Sequence, residues 1–452
     1  KEGVRNGELV FVSGHPGNTD RLRTMAHLAL MRDRIYPLSL SRLRRLEVLL
    51  STYSERSREN ARRAQDELFG IENRRKARLG ALAGLQDPEI MARKRKDEKQ
   101  LREAVSADPK LKESVGGAWD DVTAALKTYN NIFRRYEMYE GGAAFNTELF
   151  SFARVLARIA AEDPKPNADR LREYRESNRE SLNQWLFSEA PLYADLETIK
   201  LADSLGFLVE EFGARDPLVD KILAGKSPRR RAAELIGGTK LFDVSERKRL
   251  AEGGRAAIEA SQDPLIELAL LVDPTAREVR KVYEEQVDEP LRQAYGKIAE
   301  ARFALYGTSV YPDATFTLRL ALGVVAGYEE DGRRVPPWTV IGGAFERAAE
   351  HDNREPYQLP ESWIASKDRL NLETPLNFVS TVDIIGGNSG SPVVNRAGEV
   401  VGLIFDGNLQ SLVWDYIYDD VEGRAISVDC RGIVEALRRV YQADALADQL
   451  GQ

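Results

Sequence analysis

The run Gly386-Gly-Asn-Ser-Gly-Ser-Pro392 sets two hydroxyls among three glycines, directly before the apolar pair Val393-Val394. A serine that attacks a carbonyl needs its hydroxyl on a rigid, exposed turn, with backbone N–H groups converging where the oxyanion forms. Glycine suits positions close to such a serine on either side. Gly387 can adopt the backbone geometry that aims its N–H at that point, and Gly390 leaves room beside the hydroxyl. Ser389 is therefore the candidate nucleophile, with its own N–H and that of Gly387 as oxyanion donors. Ser391 is the competing hydroxyl, its backbone restricted by Pro392. Composition alone also permits an unreactive Gly/Ser-rich hairpin loop at this place.

Downstream, Phe405-Asp-Gly-Asn408 ends an apolar run that begins at Val400. Such a run delivers Asp406 and the side-chain-free Gly407 to a strand end, where a carboxylate can hold an ammonium by charge-assisted hydrogen bonds. Asp-Gly is equally a type I′ hairpin turn. The chain has three imidazoles, His15, His27 and His351. A self-contained triad would join Ser389 to His15 and Asp406, since chain order is no obstacle to such a constellation. The single cysteine, Cys430, excludes an internal disulfide framework and a Cys-based zinc site. No metal or nucleotide motif is present, and no cofactor is expected.

The elements that must position these residues fall into three stretches. Residues 1–19 contain the strand-like Glu8-Leu-Val-Phe-Val12 and the turn-forming Ser13-Gly-His-Pro-Gly17. Residues 20–304 read as a helical domain. Leu43, Leu46 and Leu50 recur at helical spacing, and a last long helix is expected over 276–304, just after Asp273-Pro274. The basic run Arg93-Lys-Arg-Lys-Asp-Glu-Lys99 reads as a solvated helix face. Residues 305–452 carry short strands at 314–320, 379–385, 393–394, 400–405 and 425–428, separated by turns, then a helix at 432–441. Short strands with Gly-rich connections predict an antiparallel sandwich or barrel. The strand at 8–12 is expected to pair there, making the helices an insertion in an α+β chain.

The 452 residues suffice for two or three cores, and the net charge of −7 speaks against a general nucleic-acid binder. No apolar window is long enough to span a bilayer. Lys1 is not an initiating methionine, and a strand follows almost at once. We therefore expect a portion of a longer polypeptide with any targeting signal upstream.

Six stretches together carry a more specific likeness: Phe11–Thr19, Ile71–Lys76, Tyr311–Arg319, Thr381–Asn395, Val401–Asn408 and Arg424–Asp429. In this order they resemble the S46 family of bacterial dipeptidyl-peptidases over essentially the whole chain, corresponding to roughly the C-terminal two thirds of its members. The resemblance implies a double β-barrel of chymotrypsin type with a large inserted helical domain. It implies cleavage of dipeptides from oligopeptides with a free N-terminus, in the periplasm or at the cell surface, with homodimerisation left open. It aligns Ser389 with the nucleophile, gives Asn73 a role in binding the substrate's ammonium and sets Asp406 beside the pocket. Gly407 falls where acid-preferring members carry Arg, which implies a roomier pocket for a non-acidic second residue. His15 replaces an aromatic residue, so the catalytic His and Asp are expected upstream of these residues and the chain alone is expected to be inactive. The alternative is a noncatalytic envelope protein, a peptide-binding module or scaffold with a degenerate protease barrel.

Overall fold

A computed structural model describes residues 3–451 of the chain. They cluster into two compact units, one comprising the residues up to Met25, Ala77–Lys99 and Tyr306 onward, the other Ala26–Lys76 with Gln100–Leu305.

The first unit is built on a sheet. Its strands are β1 (Leu9–Gly14), β2 (Arg319–Val324), β3 (Tyr328–Glu330), β4 (Arg333–Val335), β5 (Trp338–Val340), β6 (Pro375–Ser380), β7 (Pro392–Val394), β8 (Val400–Gly407) and β9 (Ala425–Asp429). Seven of them form one sheet in the order β2-β1-β7-β8-β9-β6-β5, all neighbours antiparallel, while β3 and β4 form a separate hairpin. The early strand thus pairs with two late ones, as the apolar run at residues 8–12 suggested. Val10 and Val12 point into a core shared with Val325, Phe378, Val393, Ile404 and Trp414. Beyond β2, Val325 bridges Ser380 at the end of β6; the Thr381 N–H donates to Val324 O (2.9 Å) and the Val324 N–H to Thr381 Oγ1 (3.0 Å). These bonds join the two ends of the β2-to-β6 run, curling it toward a barrel and removing an open edge.

Two strand boundaries differ from expectation. β2 begins only at Arg319, because Phe316 takes a left-handed backbone (φ 60°) and gives its N–H to Pro16 O (2.9 Å). β6 stops at Ser380, because Thr381 turns to β2 and Asp383 is drawn into an ion pair with Arg21.

The second unit is helical. Its main core joins Phe145, Phe150 and Leu156 to Leu201, Leu205 and Leu265. Arg158, 3 % exposed, pairs with Glu140 and Asp273 (both 2.6 Å), and Arg277 joins Asp273 to Glu162. Helix Pro264–Tyr283 continues through Pro274, correcting the expected start after that residue, and passes by a π-helical turn, Glu284–Asp288, directly into helix Glu289–Tyr306. Proline usually ends a helix by removing an N–H and crowding the preceding turn. Here Asp273 and Arg277 on either side are tied into the charged network, and the flanking turns are packed.

Residues 77–99, expected within the helical stretch, cluster with the sheet unit. The physical reason is a pair of glycines on helix Arg58–Gln86. Gly80 and Gly84 leave no Cβ between the helix and the side chains of Leu412 and Val413. In the following helix, Pro88–Ala107, Met91 is buried and most of the basic run is exposed, with Lys94 donating to Arg21 O (2.7 Å). No helix among the described residues is long and apolar enough to cross a membrane.

Candidate active site

Ser389 lies on the loop between β6 and β7, held from three sides. The Ile385 N–H donates to Asn388 Oδ1 (3.1 Å), the Asn388 N–H to Ile385 O (3.1 Å) and the Ser391 N–H to Asn388 O (2.9 Å). Asn388 is 3 % exposed, so its amide is an internal strut. From β8, Ile404 accepts from the Gly390 N–H (2.7 Å) and donates to Ser391 O (3.0 Å). From the end of β1, the Gly17 N–H donates to Gly386 O (2.8 Å).

Glycine is required at two points of this arrangement. Gly387 has φ 107°, and a Cβ there would lie 2.6 Å from His15 O. Gly14 faces the other flank, where a Cβ would run into Ser391 Oγ and come within 2.7 Å of Asn388 Nδ2. The two hydroxyls are consequently unequal: Ser391 is buried at 8 % exposure, while Ser389 is exposed. The N–H groups of Asn388, Gly390 and Ser391 are engaged as described. Among the described residues none of the hydrogen bonds uses the N–H of Gly387 or Ser389, the two groups expected to form an oxyanion site.

Ser389 Oγ has no hydrogen-bond partner among the described residues, so the self-contained triad is not assembled. His15 is exposed, with its ring 6.1 Å from that of Phe316. His27 Nδ1 lies 2.9 Å from Tyr295 Oη, and His351 stacks on Tyr357 at 3.7 Å.

Asp406 and Gly407 are not a hairpin turn. They are the last residues of β8, paired with Ile426 and Ala425 after a bulge at Phe405. The bulge leaves Phe405 46 % exposed and turns the Asp406 carboxylate back to accept the Gly407 N–H (2.9 Å). The expected open space at Gly407 needs correction. A Cβ there would collide with Ser411 Oγ, so the volume left by the missing side chain is occupied by a neighbouring hydroxyl. That hydroxyl is fixed by donation to Asn408 O (2.7 Å). Asn73 is exposed on helix Arg58–Gln86, within the helical unit.

Several supporting residues have no role assigned from the sequence. Arg21 grips Asp383 with both Nη atoms (2.5 and 2.8 Å) and donates through Nε to Trp414 O (2.8 Å), anchoring the chain just before the loop. Asp313 accepts from Thr19 Oγ1 (2.6 Å) and from the N–H groups of Arg21 and Leu22. Buried Arg424 donates to the carbonyls of Ala326, Gly327, Asp420 and Gly423, and burial lowers its pKa. Asn408 links the β8 exit to this cluster, accepting from the Ser411 and Arg424 N–H groups. Near Arg21, burial and then the Asp20 carboxylate push Asp415 up to about 6, against the opposing pull of Arg78 and Arg21.

An antiparallel sheet that curls on itself, with a large helical insertion, is an α+β architecture of chymotrypsin type. The family model of peptidase S46 matches residues 1–452, and the chain belongs to that family. It is 27 % identical to an Asp/Glu-specific dipeptidyl-peptidase of Shewanella putrefaciens, the alignment covering 99 % of this chain and 65 % of the relative. It is 24 % identical to dipeptidyl-peptidase 7 of Phocaeicola vulgatus, covering 99 % and 63 %. The fold is shared with the crystal structure of Porphyromonas endodontalis DPP11 in complex with the dipeptide Arg-Glu: TM-score 0.79 at 20 % identity, covering 100 % of this chain and 65 % of that one. The chain thus spans a little under two thirds of the length of these relatives.

Proposed function

We propose that the complete protein is a serine dipeptidyl-peptidase that releases dipeptides from the free N-termini of oligopeptides, through an acyl-enzyme on Ser389. The observation that carries this reading is the exposed Ser389 hydroxyl beside the unengaged N–H groups of Gly387 and Ser389, on a loop held from β1 and β8. Attack by Ser389 Oγ on the scissile carbonyl transfers its proton to an imidazole and moves negative charge to the carbonyl oxygen, where the two N–H groups stabilise it. Collapse of that intermediate expels the shortened peptide's amine, which takes the proton, and water then releases the dipeptide by the reverse sequence. The imidazole and its orienting carboxylate are assigned to the part of the polypeptide outside these residues. The chain alone then retains an oxyanion site with little or no turnover.

Asn73 is assigned to the substrate's ammonium, so that cleavage follows the second residue, and Asp406 to the side of the pocket. Gly407 supplies no cation to neutralise an acidic second residue, and burying an unpaired carboxylate is costly, so an apolar residue is preferred. The periplasm or cell surface is the compartment that suits this reading.

The test compares kcat/KM of the complete protein on free and N-acetylated dipeptidyl reporters with Leu or Asp in second position. Acetylation is expected to reduce the rate about 30- to 1000-fold, the equivalent of ~2–4 kcal/mol from a lost charge and its hydrogen bonds. Asn73→Ala should narrow that difference. Equal rates on free and acetylated substrates would replace the exopeptidase reading with another peptidase type, and no turnover of either would favour a peptide-binding scaffold.

A further inference from the structure

Within the helical unit, two helices change to π-helical turns at one place. Helix Ala118–Arg135 passes into the turn Tyr136–Glu140, and helix Pro264–Tyr283 into Glu284–Asp288. Such turns are rare and often mark functional sites. Here they join Tyr136, the first residue of one turn, to Tyr283, the residue just before the other: the rings stack at 4.3 Å with an interplanar angle of 29°. Tyr129 completes the group, 5.4 Å from Tyr283 and 6.4 Å from Tyr136.

Beside these rings stand two opposite charges that do not pair. Burial and then the Glu137 carboxylate raise the pKa of Tyr129, which sets that carboxylate against the aromatic group. Arg42, on helix Tyr36–Ser54, is the cation that acts on Glu137. Both side chains are half-buried, yet neither has a hydrogen bond or an ion pair among the described residues. Burial raises the pKa of Glu137 and lowers that of Arg42, the directions expected of charges that have lost water without gaining a partner. The contrast is Glu140, which grips Arg158 with both carboxylate oxygens (3.0 and 2.6 Å), so the same unit does close ion pairs in its interior. The unpaired polar atoms of Arg42, Glu137, Tyr129 and Tyr136 are not among the atoms sealed from water, so a solute can reach them.

We infer that this cluster is a binding site for a small zwitterion with an apolar side chain, an α-amino acid or a dipeptide. Glu137 takes its ammonium, Arg42 its carboxylate, and the tyrosine faces its side chain. Charge-assisted hydrogen bonds at both ends offset the desolvation of the two protein charges, and tyrosine rings attract apolar groups and cations alike. A solute with one charge would leave either Glu137 or Arg42 unpaired, which selects a zwitterion over a simple anion or cation. Arg74, whose charge reaches Arg42 and whose Nε is bonded to Gly70 O (3.1 Å), adds positive potential on the carboxylate side. A free amino acid and a dipeptide share this chemistry, and only the dipeptide's relevance rests on the proposed function.

The test is saturation-transfer NMR on the complete protein, titrated with L-phenylalanine and separately with the dipeptide Leu-Phe. Saturable binding is expected below about 10 mM for at least one of them, and which one binds identifies the source of the zwitterion. N-Acetylphenylalanine, without the ammonium, and phenylalaninamide, without the carboxylate, should each bind at least tenfold more weakly than L-phenylalanine. Glu137→Gln and Arg42→Gln should each weaken binding at least tenfold while leaving the urea midpoint unchanged or higher, since no ion pair is broken. No saturable binding, equal binding of the blocked amino acids, or binding that survives both substitutions would each overturn the inference. So would a marked fall in the urea midpoint of both variants, which would reveal a structural ion pair. Asn73→Ala keeps the two claims apart. Binding that it abolishes and Arg42→Gln spares belongs to the proposed substrate site and overturns the inference, whereas the opposite dependence in a protein that releases no dipeptides upholds it and removes the peptidase reading.

Discussion

Ser391 and Gly14 share one volume: the hydroxyl of Ser391 fills the position that a Cβ on residue 14 would need. This contact ties the Ser389 loop to the end of β1. It also gives the second serine of Asn388-Ser-Gly-Ser391 a packing role.

Gly14→Ala should therefore destabilise the protein by about 1–3 kcal/mol, the usual range for overpacking a filled site. It should also slow reaction at Ser389. Restoring the space with Ser391→Gly should recover most of the stability, as measured by urea unfolding of the two single variants and the double variant. Additive losses would show that the two positions do not compete for one space.

The bidentate Arg21–Asp383 pair should act as an anchor for the segment entering the loop. Both side chains are partly exposed, at 24 % and 39 %, so solvent screening limits its contribution. Arg21→Ala and Asp383→Asn should each cost about 0.5–2 kcal/mol, with a coupling of about 0.5–1 kcal/mol in a double-mutant cycle. A coupling near zero would mean that the pair contributes nothing to holding the loop.

Asp415 should make stability fall as pH rises. Its folded pKa, about 6, lies above the ordinary value of 3.8. Between those limits the folded state binds more proton than the unfolded state. Stability must therefore decline from about pH 4 to about pH 6 and level off above that. Asp415→Asn should flatten this part of the profile and raise stability at pH 7.5 by about 1–2 kcal/mol, allowing for partial screening. Denaturation midpoints collected from pH 4 to 8 measure it, and an unchanged slope in the variant would contradict the assignment.

Position 407 should not accept a cation on its own. Gly407→Arg must displace Ser411 Oγ from its bond to Asn408 O, so the single variant is expected to lose stability and total activity. Gly407→Arg with Ser411→Gly should recover stability and shift the Asp/Leu ratio of kcat/KM in the complete protein at least tenfold toward Asp. An equal shift in the single variant would show that Ser411 moves aside freely.

Much of this site was legible locally. A continuous apolar run at residues 8–12 marked a strand, and Gly386-Gly-Asn-Ser-Gly390 announced a special backbone, realised in positive φ at Gly387 and Gly390. The distinction between the two serines needed tertiary contacts, because nothing near Ser391 in sequence reveals Gly14. The same holds for Arg21 and Asp383, separated by 362 residues. Pro274 misled because its helix is sustained by packing and ion pairs that override a local helix breaker. The glycines at 80 and 84 look like a weakness in a helix until Leu412 and Val413 are set against them. Gly407 reads as empty space only because the chain does not display which neighbour fills it.

The central claim is that Ser389 is the nucleophile, and covalent labelling measures it most directly. The complete protein, treated with a fluorophosphonate and digested, should carry the label on Ser389. Ser391→Ala should retain labelling and Ser389→Ala abolish it together with dipeptide release. Label on Ser391, or dipeptide release that survives Ser389→Ala, would contradict the assignment.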